Sequence, residues 1–580
     1  MLARGDPFMR KTGAQILCES LIREGVEVIF GILGGALLPI YDAFPQYPQL
    51  RHILVRHEQG AAHAADGYAR ATHKAGVCLA TSGPGATNLV TGIANAYMDS
   101  SPVVAITGQV ARPFIGKDAF QEADITGIML PITKHNYLVT DAAGLAKTVK
   151  EAFYIAQTGR PGPVLIDIPR DVQQEEAEFV YPDKVDLPGY RFISRGHLAQ
   201  IEKATKLINE AEQPLIIAGR GIIISQAYDE LKELAEKAQI PVVSTLLGIG
   251  AFPGNHVLSF GMLGMHGMAY ANMAVQNADL IIAIGMRFDD RATANTKDFA
   301  PYARIIHIDI DPAEIGKNVR VDVPIVGDVK NVLKATNKKI DCRNHPDWLF
   351  QLEQWRYEHP SLEIRQNDEV LPQYVIHQIC EATQGDAIVV TGVGQNQMWA
   401  AQHFVYTKPN SLISAGGLGT MGFELPAAMG AKVGRPEEVV WCIAGDGGFQ
   451  MTIQELATIA QEKIAVKIAI INNGYLGMVR QWQELFYQRR YVDTKLWNPD
   501  FVKIAEAYDI PGIRVKRRDE VAPAIYKAMD YAGPFLIDFV VEPEEDVYPM
   551  VPPGESLAKV LEMPKPEILE TPKPGAVSNY

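Results

Sequence analysis

With 580 residues, the chain is longer than one hydrophobic core organises, and at about 150 residues per domain it points to three or four domains. Hydrophobic residues make up 47% and charged residues 21%, which excludes a mostly disordered chain. Lys and Arg total 54 against 68 for Asp and Glu, a formal charge of -14, so nucleic acid is not an expected partner; no apolar run approaches the roughly 20 residues that span a bilayer.

The first twelve residues mix charges with Gly and Pro around no apolar centre, so no secretory signal is expected there. Strand-like apolar runs at 77–80, 103–107 and 164–168 alternate with helical periodicity, the pattern of parallel-sheet α/β domains. A Glu- and Pro-containing break at 173–195 is followed by a second unit with strands at 215–218, 242–245, 280–284 and 305–308. The polar stretch 341–368, carrying Trp348 and Trp355, reads as a linker packed on the surface. A third unit spans 371–541, with strands at 388–390, 439–443 and 466–471. The tail is rich in Pro and Glu, and its last twenty residues are expected to form an extended or mobile arm. Cys18, Cys78, Cys342, Cys380 and Cys442 show no paired spacing, which fits a reducing cytoplasm rather than a disulfide framework or zinc ribbon.

The sharpest chemical signal lies in the third unit. A strand runs into Gly445-Asp446-Gly447-Gly448, and the next strand runs into Asn472-Asn473. Both clusters fall at the carboxyl ends of strands in one βαβ unit, where open parallel sheets place ligands. Asp446 and Asn473 are 27 positions apart, about one crossover, so their side chains can converge. A carboxylate with an amide oxygen suits a hard cation such as Mg²⁺, and the glycines let backbone N–H groups approach a diphosphate. Gly-Asp-Gly alone would be a tight turn with a capping Asp; the double Asn at this distance favours the ligand site. Gly219-Arg220-Gly221 after a strand hints at a nicotinamide site but lacks the full fingerprint.

Further motifs run collinearly through the chain: Arg56-His57-Glu58-Gln59-Gly60-Ala61, Ala119-Phe120-Gln121-Glu122, Leu263-Gly264-Met265-His266-Gly267, Gly285-Met286-Arg287-Phe288-Asp289-Asp290-Arg291, Gly416-Gly417-Leu418-Gly419-Thr420-Met421 and Gly477-Met478-Val479-Arg480-Gln481-Trp482. With the Gly-Asp-Gly and double-Asn segments, they resemble the catalytic subunits of the acetohydroxyacid synthase family of thiamine-diphosphate enzymes, over about residues 10–555. The resemblance implies three doubly wound parallel-sheet domains: pyrimidine-binding at 9–172, FAD-binding at 195–340, diphosphate- and Mg²⁺-binding at 371–545, with a C-terminal tail at 546–580.

The same resemblance assigns roles. Glu58 matches the acid that hydrogen-bonds the cofactor's aminopyrimidine and favours its imino tautomer. Met421 matches the apolar prop that bends the cofactor, and Gly419 the carbonyl that takes its exocyclic amine. Gly445, Gly447, Gly448 and Gln395 fall among the cofactor-binding positions. Asp446, Asn473 and the backbone carbonyl of Tyr475 match the metal ligands. FAD, structural rather than redox-active, is implied at Arg160, along the stretch from His266 to Arg287 and along the stretch from Asp309 to Asp328. Arg291, Trp482, Met478, Phe120 and Arg170 match substrate-side positions, and Gln121 a catalytic one; Glu58, Phe120 and Gln121 would reach the cofactor from a neighbouring subunit.

The implied reaction decarboxylates pyruvate and transfers the two-carbon unit to pyruvate or 2-oxobutanoate, in a homodimer or homotetramer with a separate small regulatory subunit. Alternatives are another flavin-containing member such as pyruvate oxidase, or a catalytically silent homologue; intact Glu58, Asp446 and Asn473 weigh against the latter. Three positions depart from the family pattern: Leu33 for Pro, Arg170 for Lys and Glu424 for Gly. The last would place a carboxylate near the diphosphate and weaken cofactor binding, unless it points to solvent.

Overall fold

The computed structural model describes residues 10–564; the expectations for the first nine residues and for the end of the tail beyond 564 lie outside them. Three six-stranded, all-parallel sheets are laid out along the chain, with helices on their faces. Their central strands are buried on both sides, as the continuous Val/Ile/Leu/Ala runs require.

In the first sheet the spatial order is Arg51–Leu54, Val28–Gly31, Gly76–Ala80, Val103–Gln109, Val164–Pro169, His135–Leu138. The third repeats that topology with Leu412–Ser414, Ile388–Thr391, Val440–Gly445, Lys467–Asn472, Phe535–Val540, Gly512–Val515. Numbering strands within each domain, both read 2-1-3-4-6-5, with the direction of winding reversing between strands 1 and 3. The middle sheet is different: Ser259–Met262, Val242–Ser244, Pro214–Ala218, Leu280–Ile284, Arg304–Asp309, Val323–Val326 read 3-2-1-4-5-6. That is the dinucleotide-binding order, whose crevice opens between strands 1 and 4.

The first and third domains share one core. The helix Glu58–Thr72 lies against Glu424–Gly434 so closely that a Cβ on Gly67 would sit 2.1 Å from the Ala427 carbonyl oxygen, and one on Gly430 1.9 Å from that of Ala64. Only glycine permits this backbone approach. Arg51 and Arg56 add contacts to Glu462 and Gln461 at the rim of the same interface.

The stretch 341–368 is not a surface linker. It contains the helix Pro346–Glu358, whose Trp348 is buried, donates Nε1–H to the Pro214 carbonyl at 3.0 Å and meets Trp355 edge-on. Indoles at 348 and 355 are two helical turns apart on one face, a spacing that the polar surroundings mask. The tail up to residue 561 is likewise packed: Val547, Met550, Val551 and Leu557 are buried, and Val551 N–H donates to the Met265 carbonyl at 2.8 Å. Among the described residues, no helix is long and apolar enough to cross a membrane.

Candidate active site

The third domain brings its two polar clusters together. Asp446 opens the helix Asp446–Met451 at the end of one strand, and Asn473 follows the adjacent strand Lys467–Asn472. Asp446 Oδ2 accepts the Gly474 N–H at 2.9 Å and the Asn498 amide at 2.6 Å, while Oδ1 accepts the Gly447 N–H at 3.0 Å. Asn473 is oriented by Gln395: its Nδ2 donates to Gln395 Oε1 at 3.1 Å, leaving Oδ1 to face the Tyr475 N–H at 3.1 Å. Gln395 is itself fixed by Gln481 and the Glu545 carbonyl.

Burial pushes the Asp446 carboxyl up to about 6. Among the described residues there is no cluster of three His, Cys, Asp or Glu side chains. Any cation here therefore relies on one carboxylate, the Asn473 amide oxygen and backbone carbonyls, an all-oxygen set that fits Mg²⁺ with phosphate completing its shell. A Cβ on Gly447 would sit 2.8 Å from Leu476 and 3.5 Å from Met421 Cε, so the turn's closeness to the Met421 loop depends on glycine.

Glu58 begins the helix Glu58–Thr72, behind the His57 cap, and is 9% exposed. Its Oε2 accepts the Asn88 amide at 2.9 Å. Gln121 adopts a left-handed φ of 59° in a loop that Glu122 ties down by accepting the Ala119 N–H at 2.9 Å. Phe120, beside it, is 89% exposed, and Arg170 opens the short helix Arg170–Gln174 with its side chain exposed. Among the described residues, no hydrogen bond or ion pair joins Glu58, Phe120, Gln121 or Arg170 to the Asp446–Asn473 cluster.

A cavity of about 910 Å³ is lined by all three domains, at the large end of the roughly 300–1,000 Å³ typical of ligand sites. Its walls include Arg160 from the first domain; His266, Arg287, Arg291, Asp309 and Asp328 from the middle; and Gly419, Met478 and Trp482 from the third. Arg160 and the ends of both stretches expected to hold FAD are thus on one surface. It opens at the middle sheet's winding reversal, where Gly219 and Gly221 pack on Gly285; a Cβ on Gly219 would lie 2.2 Å from the Gly285 carbonyl oxygen. Buried polar atoms on these walls lack partners: His266 Nδ1, Arg220 Nε and Glu314 Oε2. A polar, dinucleotide-sized ligand fits such a surface.

Arg160 already donates Nη1 to Glu314 at 2.6 Å and to Asp311 at 3.2 Å, and Nε to Ser100 Oγ at 2.8 Å. Burial lowers the His266 imidazole to about 4 and raises the Asp309 carboxyl to about 7. Asp328 caps the helix Val329–Asn337 through the Asn331 N–H, which alone accounts for its type. The wall segment Met286–Arg287–Phe288 is strained, with buried Phe288 at φ 51°.

Of the departures, Glu424 is the informative one. It does not point to solvent: it is 1% exposed, its Oε2 has no hydrogen-bond partner, and Cβ atoms on Gly392 and Gly448 would meet its carboxyl at 1.9 and 2.4 Å. Burial raises it to about 7. Leu33 is 46% exposed, and nothing in the structure explains its replacing Pro. Sequence reasoning missed Asp99 and Asn498, which carry no motif and gain partners only through folding.

Family models for thiamine pyrophosphate enzymes match in chain order: the N-terminal thiamine pyrophosphate binding domain at 11–128, the central domain at 201–336 and the C-terminal thiamine pyrophosphate binding domain at 392–539. The class is therefore a thiamine-diphosphate-dependent enzyme. The chain is 52% identical over 559 residues to the acetolactate synthase large subunit of Corynebacterium glutamicum, covering 94% of this chain and 89% of that one. It is 53% identical over 558 residues to the acetolactate synthase of Mycobacterium leprae, at 94% and 89% coverage. To the acetolactate synthase large subunit of Porphyra purpurea it is 49% identical over 593 residues, at 100% and 99% coverage. The chain belongs to the acetolactate synthase large-subunit family.

Proposed function

We propose that this protein decarboxylates pyruvate and joins the two-carbon unit to a second pyruvate or to 2-oxobutanoate, giving 2-acetolactate or 2-aceto-2-hydroxybutyrate on the route to valine, leucine and isoleucine. The observation that carries this reading is the single cavity shared by three domains, with a dinucleotide-type sheet on one side and Gly419, Met478 and Trp482 on the other. Bound thiamine diphosphate supplies a ring carbon that accepts the oxo acid's carbonyl and stabilises the electron pair left when carbon dioxide departs.

The chain's own residues bind, orient and move protons. Asp446, Asn473 Oδ1 and the Tyr475 carbonyl would hold Mg²⁺, with Gly445, Gly447 and Gly448 leaving the backbone accessible to the diphosphate. Glu58 would hold a proton at the cofactor's aminopyrimidine ring, the Gly419 carbonyl would accept from its amine and Met421 would pack against it. Arg291 takes the acceptor's carboxylate, and Trp482 and Met478 wall its alkyl group. FAD, held by Arg160, His266, Arg287, Asp309 and Asp328, braces the middle domain, since the overall reaction has no net redox step.

Phe120 at 89% exposure and Gln121 beside it suit a homodimer or homotetramer in which they and Glu58 complete a neighbouring subunit's site. The same reading includes the domain limits 9–172, 195–340 and 371–545, a cytoplasmic location, and a separate small subunit, after the large-subunit names of the relatives. Anaerobic incubation with pyruvate, thiamine diphosphate, Mg²⁺ and FAD tests it. Acetolactate should form without an electron acceptor; turnover that stops until an acceptor is added identifies a flavin oxidase instead.

A further inference from the structure

Three consecutive residues of the first domain, Asp99, Ser100 and Ser101, each hold a different part of the molecule. They leave the helix Val90–Met98 and are nearly or fully buried. Asp99 reaches the third domain: its Oδ1 accepts the Gly417 N–H at 2.6 Å and its Oδ2 the Gly416 N–H at 3.0 Å. These glycines begin the loop that presents Gly419 and Met421. Ser100 Oγ accepts Arg160 Nε at 2.8 Å, and Ser101 Oγ accepts Arg220 Nη2 at 3.2 Å. Asp99, Ser100, Arg160 and Arg220 all line the three-domain cavity.

The segment is braced from behind. Arg70 donates to Asp99 at 2.9 Å, grips Asp66 with two nitrogens at 2.7 and 3.0 Å, and donates to the Ser414 carbonyl at 2.7 Å. Thr420, further along the loop, donates to Asn95, whose amide donates to Asp66. Ser100 sits at φ 57°, a backbone conformation that a non-glycine residue keeps only when its surroundings hold it. Arg220 is half-buried with its buried Nε unpartnered, so the cavity wall carries a cation whose hydrogen bonding is incomplete.

We propose that Asp99-Ser100-Ser101 is a positioning segment that couples the flavin cavity to the thiamine-diphosphate loop, so that a flavin dinucleotide seated against Arg160 and Arg220 tightens thiamine diphosphate binding. This rests on the flavin reading of the cavity given above. A ligand that immobilises the two arginines fixes the serines, and with them the carboxylate on which Gly416 and Gly417 hang; the loop is then ordered before the second cofactor arrives. Such coupling is reciprocal, so thiamine diphosphate tightens flavin by the same factor.

The test is calorimetric titration of cofactor-stripped protein with thiamine diphosphate at saturating Mg²⁺, with and without FAD, and with flavin retention read by fluorescence. FAD should tighten thiamine diphosphate at least about fivefold, the lower end of ordinary coupling. In Asp99→Asn that factor should fall to within about twofold of one. Ser100→Gly suits the left-handed turn and removes only the oxygen held by Arg160; it should keep the thermal midpoint while losing most of the factor, and it decides the matter alone should Asp99→Asn not fold. If either folded variant weakens both affinities but keeps the wild-type factor, the segment is merely structural and the proposal falls. Wild-type protein that binds FAD with unchanged thiamine diphosphate affinity overturns the coupling alone; wild-type protein that binds no FAD overturns the flavin reading as well.

Discussion

The guanidinium carbon of Arg291 lies 6.0 Å from the ring centroid of Trp482, across the boundary between the middle and third domains. The contact is at the outer limit of cation–π attraction, and a side chain of Arg291 that is 58% exposed has its charge largely screened. Its value is geometric. Arg291 is steadied by Met265 Sδ at 3.0 Å and Trp482 by Phe486 edge-on, so a charged fork and an apolar wall are held side by side in the lining of one cavity.

Acceptor choice should divide between these two. A planar guanidinium holds the carboxylate of pyruvate and of 2-oxobutanoate equally, whereas the extra methylene meets the indole. One methylene in an apolar pocket is worth roughly 1–3 kcal/mol, about 10–200-fold. Trp482→Leu should therefore still make acetolactate but lose much of any preference for 2-oxobutanoate, and Arg291→Lys should weaken both acceptors alike. A competition assay with both oxo acids reads the product ratio. A ratio that moves in Arg291→Lys and holds in Trp482→Leu means the roles are reversed.

Glu58→Gln keeps the side chain's shape and its capacity to pair with Asn88, but removes the acid. Cofactor binding should survive while turnover falls by about 10²–10⁴-fold, the usual contribution of a positioned proton-transfer group. Hydrogen–deuterium exchange at the thiazolium carbon isolates this step from substrate binding. An exchange rate equal to wild type would remove Glu58 from the role.

Asp446→Ala deletes the acceptor of the Gly474 N–H and of the Asn498 amide as well as the expected cation ligand. The variant should fold, because each of those donors borders the solvent-facing end of the sheet rather than the core. It should lose thiamine diphosphate and Mg²⁺ on desalting. Retention of both after desalting would place the cation elsewhere.

Legibility in the sequence followed burial. Strands such as 280–284, apolar throughout, could be read directly, whereas the edge strands Arg51–Leu54 and His135–Leu138 are short and half-exposed and carry no continuous apolar run. Asp446 and Asn473 were readable because one crossover fixes their separation. Gln395 holding Asn473, or Asp99 holding Gly416 and Gly417, links residues 78 and more than 300 positions apart, and no local pattern encodes that. The shared 2-1-3-4-6-5 order of the outer domains was invisible for the same reason: it is a property of strand pairing, not of residues.

Glu424 gives the last prediction, through the pH dependence of stability. In the unfolded chain its carboxyl titrates near 4.5; in the folded protein burial raises it to about 7, with Cys442, the backbone N–H of Glu424 itself and that of Gly422 facing it. Below about 4.5 both states are protonated and the group costs nothing. Between 4.5 and 7 the folded state holds a proton that the unfolded state has released, so stability falls as pH rises, by about 1.4 kcal/mol per unit, and levels off above 7. The accumulated cost is of order 3 kcal/mol by pH 8. Glu424→Gln has the same shape and no charge at any pH, so its melting temperature relative to wild type should climb from pH 5 to pH 8 and then stay flat. The carboxyl also lies against Gly448, so ionisation puts a negative charge behind the proposed diphosphate turn. Thiamine diphosphate affinity should therefore weaken across pH 6–8 in wild type more than in Glu424→Gln. Parallel melting curves for the two proteins over pH 5–8 would mean that Glu424 is ionised, or neutral, throughout, and the buried-acid account would fail.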